Sequence, residues 1–220
     1  MSSHHPWTEI TDGAALTELL GEPTPLVRDK ARHSLTDVDV DWLNSSPFCV
    51  VASAAADGSA DASPKGDPAG NLVHVIDETT IALAERPGNR RADGYRNILE
   101  NPHVGLLFVI PGRGDTLRIN GRARLVSDAP FFDELVVKGH RPLLAMVVEI
   151  DELFHHCPKA FLRSALWDPS SWDPERRVPS AAALVRRLYQ PAGTVAEPAP
   201  EPARYDGPSY AETLYRDPVA

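Results

Sequence analysis

Three stretches carry side chains able to do chemistry on an anion. "ASPKGD" (62–67) sets a lysine between Pro64 and Gly66, so backbone as well as ammonium can approach a ligand closely. "ERPGNRR" (85–91) gathers Arg86, Arg90 and Arg91 around a Pro-Gly turn, just before a helix that the pattern starts at Ala92. Exposed amides at a helix start, with cations beside them, suit a phosphate. "TLRINGRARL" (116–125) adds arginines on one strand face. From Arg86 to Arg124 eight arginines stand against Asp93, Glu100 and Asp115, a local balance of +5 in a chain of net charge -9. Arginine rather than lysine throughout favours forked, bidentate recognition of phosphate or carboxylate. Each residue also has a plainer reading. Lys65 can be a solvated strand end, Arg91 can pair with Asp93 or Glu100, Arg163 can bond helix carbonyls, and Trp167 can be core or subunit contact.

The adjacent His155, His156 and Cys157 are good metal ligands by type. Three neighbours cannot all face one ion from regular structure, and no second His/Cys pair has suitable spacing, so no metal is expected. They are placed at a strand-to-helix corner. No Cys-His-Asp order marks Cys157 as a nucleophile. No catalytic residue is assigned.

These groups matter only if the elements around them converge. "TDGAALTELLG" reads as a helix capped by Thr11 and stopped at Gly21. A second helix begins at Thr36 and is expected to bury Val38, Trp42 and Leu43. The period then changes to that of strands. "PFCVVASAAADGSADASPKGD" holds two strands around Asp57-Gly58, a hairpin signal. "NLVHVID" and "TTIALAE" follow, then "HVGLLFVI" and "DTLRINGRARLVS" around the 111–114 turn, then "PLLAMVVEIDEL". In the 116–125 strand Leu117, Ile119, Gly121, Ala123 and Leu125 share one side. Helices are expected in "ADGYRNILENP", in "APFFDELVVKGH" and from Pro158 in "HHCPKAFLRSALW". Six to seven antiparallel strands with flanking helices imply a mainly β, Greek-key barrel, which removes exposed sheet edges.

A chain of 220 residues and 24.0 kDa can bury one good core. An acidic pI near 5.3 excludes sequence-independent nucleic-acid binding. No apolar run reaches the length of a membrane span, no secretory h-region is visible, and a cytoplasmic location is expected. The last 53 residues hold nine of the 21 prolines, which marks 168–220 as a Pro/Ala-rich extension with a short helix near 180–190. The expected organisation is a helical segment 1–45 packing on the barrel, a cofactor-binding domain 46–167, and that extension.

In combination, "ASPKGD", "GNRRADGYRNILENPHVGLLF" and "HHCPKAFLRSALW" resemble the pyridoxamine 5'-phosphate oxidase-like flavoproteins, in the branch of bacterial FMN-dependent oxidases. The similarity runs from about Pro47 to Trp167, and "PLVRDKARHSLTD" before it is also similar. The resemblance implies a split β-barrel homodimer with FMN in each of two clefts between protomers, acting by hydride transfer between flavin N5 and a small organic substrate. Carried over by position, Lys65, Asn89, Arg90 and Arg91 become the phosphate and ribityl contacts. Ser63, Pro64, Gly66, Glu85 and Arg86 become the edge along the isoalloxazine, with Arg118 assisting. Lys159, Arg163, Ser164 and Trp167 would close the site from the partner subunit. The 168–220 stretch does not match the C-terminal segment with which true pyridoxamine phosphate oxidases help bind the substrate phosphate. Alternatives on the same barrel are a flavin-binding protein without turnover, a haem-binding protein with His155 or His156 as ligand, and an F420-dependent reductase.

Overall fold

The computed structural model describes residues 7–172 together with 188, 189 and 214; the expected 180–190 helix and the stretch after it fall almost wholly outside that range. α1 (Gly13–Leu20) is capped by the Asp12 carboxylate, which accepts from the Ala15 N–H at 2.8 Å, rather than by Thr11. It buries none of its side chains. A single turn, α2 (Pro25–Arg28), precedes α3 (Asp37–Ser45), which begins after Thr36 as expected. The Thr36 N–H and hydroxyl both donate to Asp39 Oδ2, at 2.9 and 2.7 Å. Trp42 and Leu43 are buried, but Val38 is 69% exposed and Val40 packs on the core in its place. The helix turns its 39/42/43 face inward, and Val38 lies off that face.

Seven strands follow: β1 (Phe48–Ala54), β2 (Ala60–Gly66), β3 (His74–Asp77), β4 (Thr80–Ala84), then β5 (His103–Val109), β6 (Thr116–Val126) and β7 (Ala145–His156). Between β4 and β5 lies α4 (Asp93–Glu100), and α5 (Lys159–Ser164) follows β7. All pairings are antiparallel, in the order β2-β1-β5-β6-β7-β4-β3. Gly58, at φ 86°, makes the expected β1–β2 turn.

The sheet closes on itself. β2 and β4 stand five strand spacings apart in the order, which would be about 24 Å in a flat sheet. Yet Lys65 Nζ lies 2.6 Å from Glu85 Oε2, and Arg86 Nε lies 2.7 Å from Asp67 Oδ2. Only a curled sheet brings those ends together. The mainly β split barrel expected from the sequence is thus the fold, with Leu106, Phe108, Leu117, Ile119, Leu83 and Met146 filling its centre.

β6 alternates as its sequence reads: Leu117, Ile119, Gly121 and Ala123 are buried. Register with β7 slips after Asn120, so Asp151 is an extra residue opposite it. At Gly121 a Cβ would meet the Glu149 carbonyl oxygen at 2.1 Å. Two expected helices are shorter than read. "APFFDELVVKGH" forms only a 3-10 turn, Pro130–Leu135, followed by a tight turn at Lys138-Gly139 with both φ values positive. The chain after β7 is helical for six residues and ends at Ala165, φ 50°. β7 itself runs through His155 and His156, so these lie on the strand rather than at a corner.

Candidate functional site

A cavity of about 1190 Å³ opens at the seam where β2 and β4 meet. The end of β2, residues 84–95 leading into α4, and residues 139–144 wall it; Val51, Leu72, Ile98 and Met146 give it apolar surface. Ser63, Pro64, Lys65, Gly66, Glu85, Arg86, Asn89, Arg90 and Arg91 all line it. Nine of the fourteen expected site residues therefore converge. Arg118, Lys159, Arg163, Ser164 and Trp167 do not line it. Arg118 donates to Asn120 Oδ1 at 3.1 Å and lies over the Phe154 ring. Trp167 stacks on Phe161 and donates from Nε1 to the Arg113 carbonyl at 2.6 Å.

The loop entering α4 is held in an unusual backbone. Arg90 (φ 60°) and Ala92 (φ 55°) are left-handed, a conformation costing a non-glycine residue about 1–2 kcal/mol. The Asn89 side chain accepts the Arg91 N–H at 3.0 Å, and the Arg96 guanidinium donates to the Arg91 carbonyl at 2.6 Å. Alternating backbone hands turn amide groups toward one concavity, a device that binds anions. Arg91 pairs with Asp93, which raises the pKa of the guanidinium, and its side chain stays 79% exposed. A Cβ on Gly94 would sit 2.8 Å from the Asp61 carboxylate, so a larger residue where α4 starts against β2 would have to turn that side chain aside.

At the middle of the cavity Lys65 Nζ donates to Glu85 Oε2 (2.6 Å) and to the Tyr95 hydroxyl (2.8 Å), while that hydroxyl itself donates to Glu85. Burial, then the neighbouring Glu85 charge and its hydrogen bond, pushes the Tyr95 pKa up, so the phenol stays protonated. Cys49, opposite Lys65 on β1, is pushed up to about 12 by burial, with Lys65 acting against that rise. Arg86 pairs with the buried Asp67 and donates to the Leu135 carbonyl at 3.0 Å. Tyr95, Asp67 and the 139–144 wall are additions to the expected site. The pattern of α4 treats Tyr95 as a packing residue, and its place one turn after "NRR" is the signal that could have found it.

The His-His-Cys run takes separate partners. His155 Nε2 is 3.1 Å from Asp39 Oδ1, the His156 ring lies 4.9 Å from Phe154, and Cys157 is exposed. Burial, with Lys30 and Arg118 nearby, lowers the His156 pKa. Among the described residues no group of three or more His, Cys, Asp or Glu is arranged to hold a metal ion.

Comparison with protein families matches residues 35–157 to "Pyridoxamine 5'-phosphate oxidase". The chain belongs to this family. The matched span runs from the approach to α3 through the whole sheet and the cavity to the end of β7. Solved structures similar to this family member include HupZ from Group A Streptococcus (18% identity, 55% of this chain and 93% of that one, TM-score 0.45). An FMN-binding protein from Syntrophomonas wolfei (12%, 55% and 89%, 0.41) and General Stress Protein 26 from Bacillus anthracis (13%, 53% and 88%, 0.41) are also similar. No curated protein matches it significantly.

Proposed function

We propose that the chain is an FMN-dependent oxidoreductase acting on a small organic substrate. The observation that carries this reading is the meeting of "ASPKGD" and "ERPGNRR" in one cavity at the barrel seam. Its volume exceeds the roughly 300–1,000 Å³ usual for small-molecule sites, which leaves room for a cofactor and a substrate. The residues present fit FMN. The 89–92 loop, left-handed at Arg90 and Ala92, offers cations and amides to the phosphate, and the apolar surface suits a planar ring. When bound, FMN would supply hydride transfer at N5.

The work of the chain is to hold and orient. Asn89, Arg90 and Arg91 grip the phosphate, with Lys65 as a second cation within the same cavity. Ser63, Pro64, Gly66, Glu85 and Arg86 give the edge against the ring. Arg118, Lys159, Arg163, Ser164 and Trp167 act in a homodimer, where the partner's α5 covers the open side of the cavity and excludes water. The 46–167 domain carries the site, flanked by extensions 1–45 and 168–220. Free Cys49 and Cys157 fit a reducing, cytoplasmic setting. Among the described residues no helix is long and apolar enough to cross a membrane.

The test is flavin titration followed by fluorescence. Arg90→Ala/Arg91→Ala is expected to weaken FMN by about a hundredfold or more, as the loss of two charged phosphate contacts of about 1.5 kcal/mol or more each requires. Unchanged occupancy would refute the phosphate assignment. Stopped-flow reduction of the loaded protein by NADH or NADPH then separates an enzyme from a flavin carrier.

A further inference from the structure

Two ion pairs cross the barrel seam, and they differ in kind. Asp67–Arg86 lines the cavity but is the more buried pair, with side chains 2% and 13% exposed. Lys65–Glu85 faces the cavity, at 19% and 34%. The first is a lock, because a buried pair is costly to break. The second is the more open to a ligand, because both side chains line the cavity with part of their surface accessible. Glu85 also has a second partner ready: the Tyr95 hydroxyl already donates to Oε2, the same atom that Lys65 holds. The carboxylate can give up the ammonium and keep a hydrogen bond.

We propose that Glu85 is an internal anion occupying Lys65, which an incoming ligand phosphate displaces, with Tyr95 retaining the freed carboxylate. The affinity of the cavity for an anion is then set by this exchange. Without a ligand the Lys65–Glu85–Tyr95 cluster is electrically neutral, and a phosphate must take Lys65 away from Glu85 to use its charge. The inference rests on the flavin reading only in naming FMN as the natural anion; the exchange itself applies to any phosphate.

Two variants remove the competing charge. Glu85→Gln does so and keeps the shape. Glu85→Ala also removes the side-chain oxygen that could still accept from Lys65. Full-length proteins, stripped of bound ligand and checked for cooperative unfolding, would be titrated with FMN and riboflavin by fluorescence and with inorganic phosphate by calorimetry. Glu85→Gln is expected to bind inorganic phosphate about fivefold more tightly and to raise the preference for FMN over riboflavin by about the same factor. Glu85→Ala is expected to tighten phosphate to a similar degree. The gain should vanish in Glu85→Gln/Lys65→Met. Unchanged or weaker phosphate binding in folded Glu85→Gln overturns the proposal, and so does an unchanged preference for FMN over riboflavin. If Glu85→Gln does not fold, unchanged or weaker phosphate binding by Glu85→Ala overturns it instead. Should the protein take phosphate but no FMN, the phosphate arms still decide the exchange and only the flavin reading falls. Absence of both ligands from every protein overturns both.

Discussion

Asp39 has no exposed surface, and three groups hold it: Arg32 through both oxygens (2.5 and 2.8 Å), Thr36, and His155 from the end of β7. Burial alone would raise its pKa. The hydrogen bonds from Arg32, Thr36 and His155 outweigh that and hold the carboxyl well below the usual carboxylate range. A depressed folded-state pKa stabilises the fold above the unfolded value of about 4, and that stabilisation is lost as pH falls from there toward the folded value. Urea unfolding at a series of pH values should therefore show stability falling below about pH 4, with a shallower fall in Asp39→Asn. At neutral pH the same variant should lose about 2–4 kcal/mol, since Arg32 keeps its charge without its partner. An unchanged acid limb would mean that other carboxylates dominate it. The sequence shows Asp39 only as part of a helix start. Its partners Arg32 and His155 are set by tertiary folding, and no local pattern announces them.

At the scale of elements, the pattern of β6 was legible because burial on one face leaves a period of two. The slip after Asn120 was not, since an extra residue on β7 changes pairing without changing the alternation of β6. Gly121 is the residue that pays for this geometry: its missing Cβ leaves room for the Glu149 carbonyl, which would otherwise stand 2.1 Å away. Because the obstacle is backbone in a paired central strand, it cannot rotate aside. Gly121→Ala should cost about 2–4 kcal/mol, read as a lowered urea midpoint with unchanged slope. A loss below 1 kcal/mol would mean that β7 shifts to accommodate the methyl. The helix expected over 129–140 failed for a related reason. Its apolar residues Phe132, Leu135 and Val137 do bury, but they do so from a 3-10 turn and an extended segment, which the spacing alone cannot distinguish from a helix.

For the whole molecule, the residues expected at the site fall in three places. Those in "ASPKGD" and "ERPGNRR" meet inside one chain, and Arg118 stays on β6 over Phe154. The rest follow β7, where Trp167 bonds the Arg113 carbonyl of the β5–β6 turn and Gly114 leaves no room for a Cβ beside Pro158. They do not line the cavity of their own chain; in the proposed homodimer they act on the partner's, a division that a sequence, which records one chain, does not show. The exposed Leu143 at the cavity wall and the exposed Leu162 and Leu166 around α5 fit apolar contact between copies. Complementation tests the arrangement directly. Arg90→Ala/Arg91→Ala spoils the loop, and Arg163→Ala spoils α5; each homodimer is expected to hold little FMN. In a mixed dimer one site combines both lesions, while the other pairs an intact loop from one chain with an intact α5 from its partner. Random re-pairing makes half the dimers mixed, so about one quarter of all sites should recover FMN. If each chain closed its own cavity, every site in the mixture would keep one lesion, and flavin content would stay at the level of the separate variants.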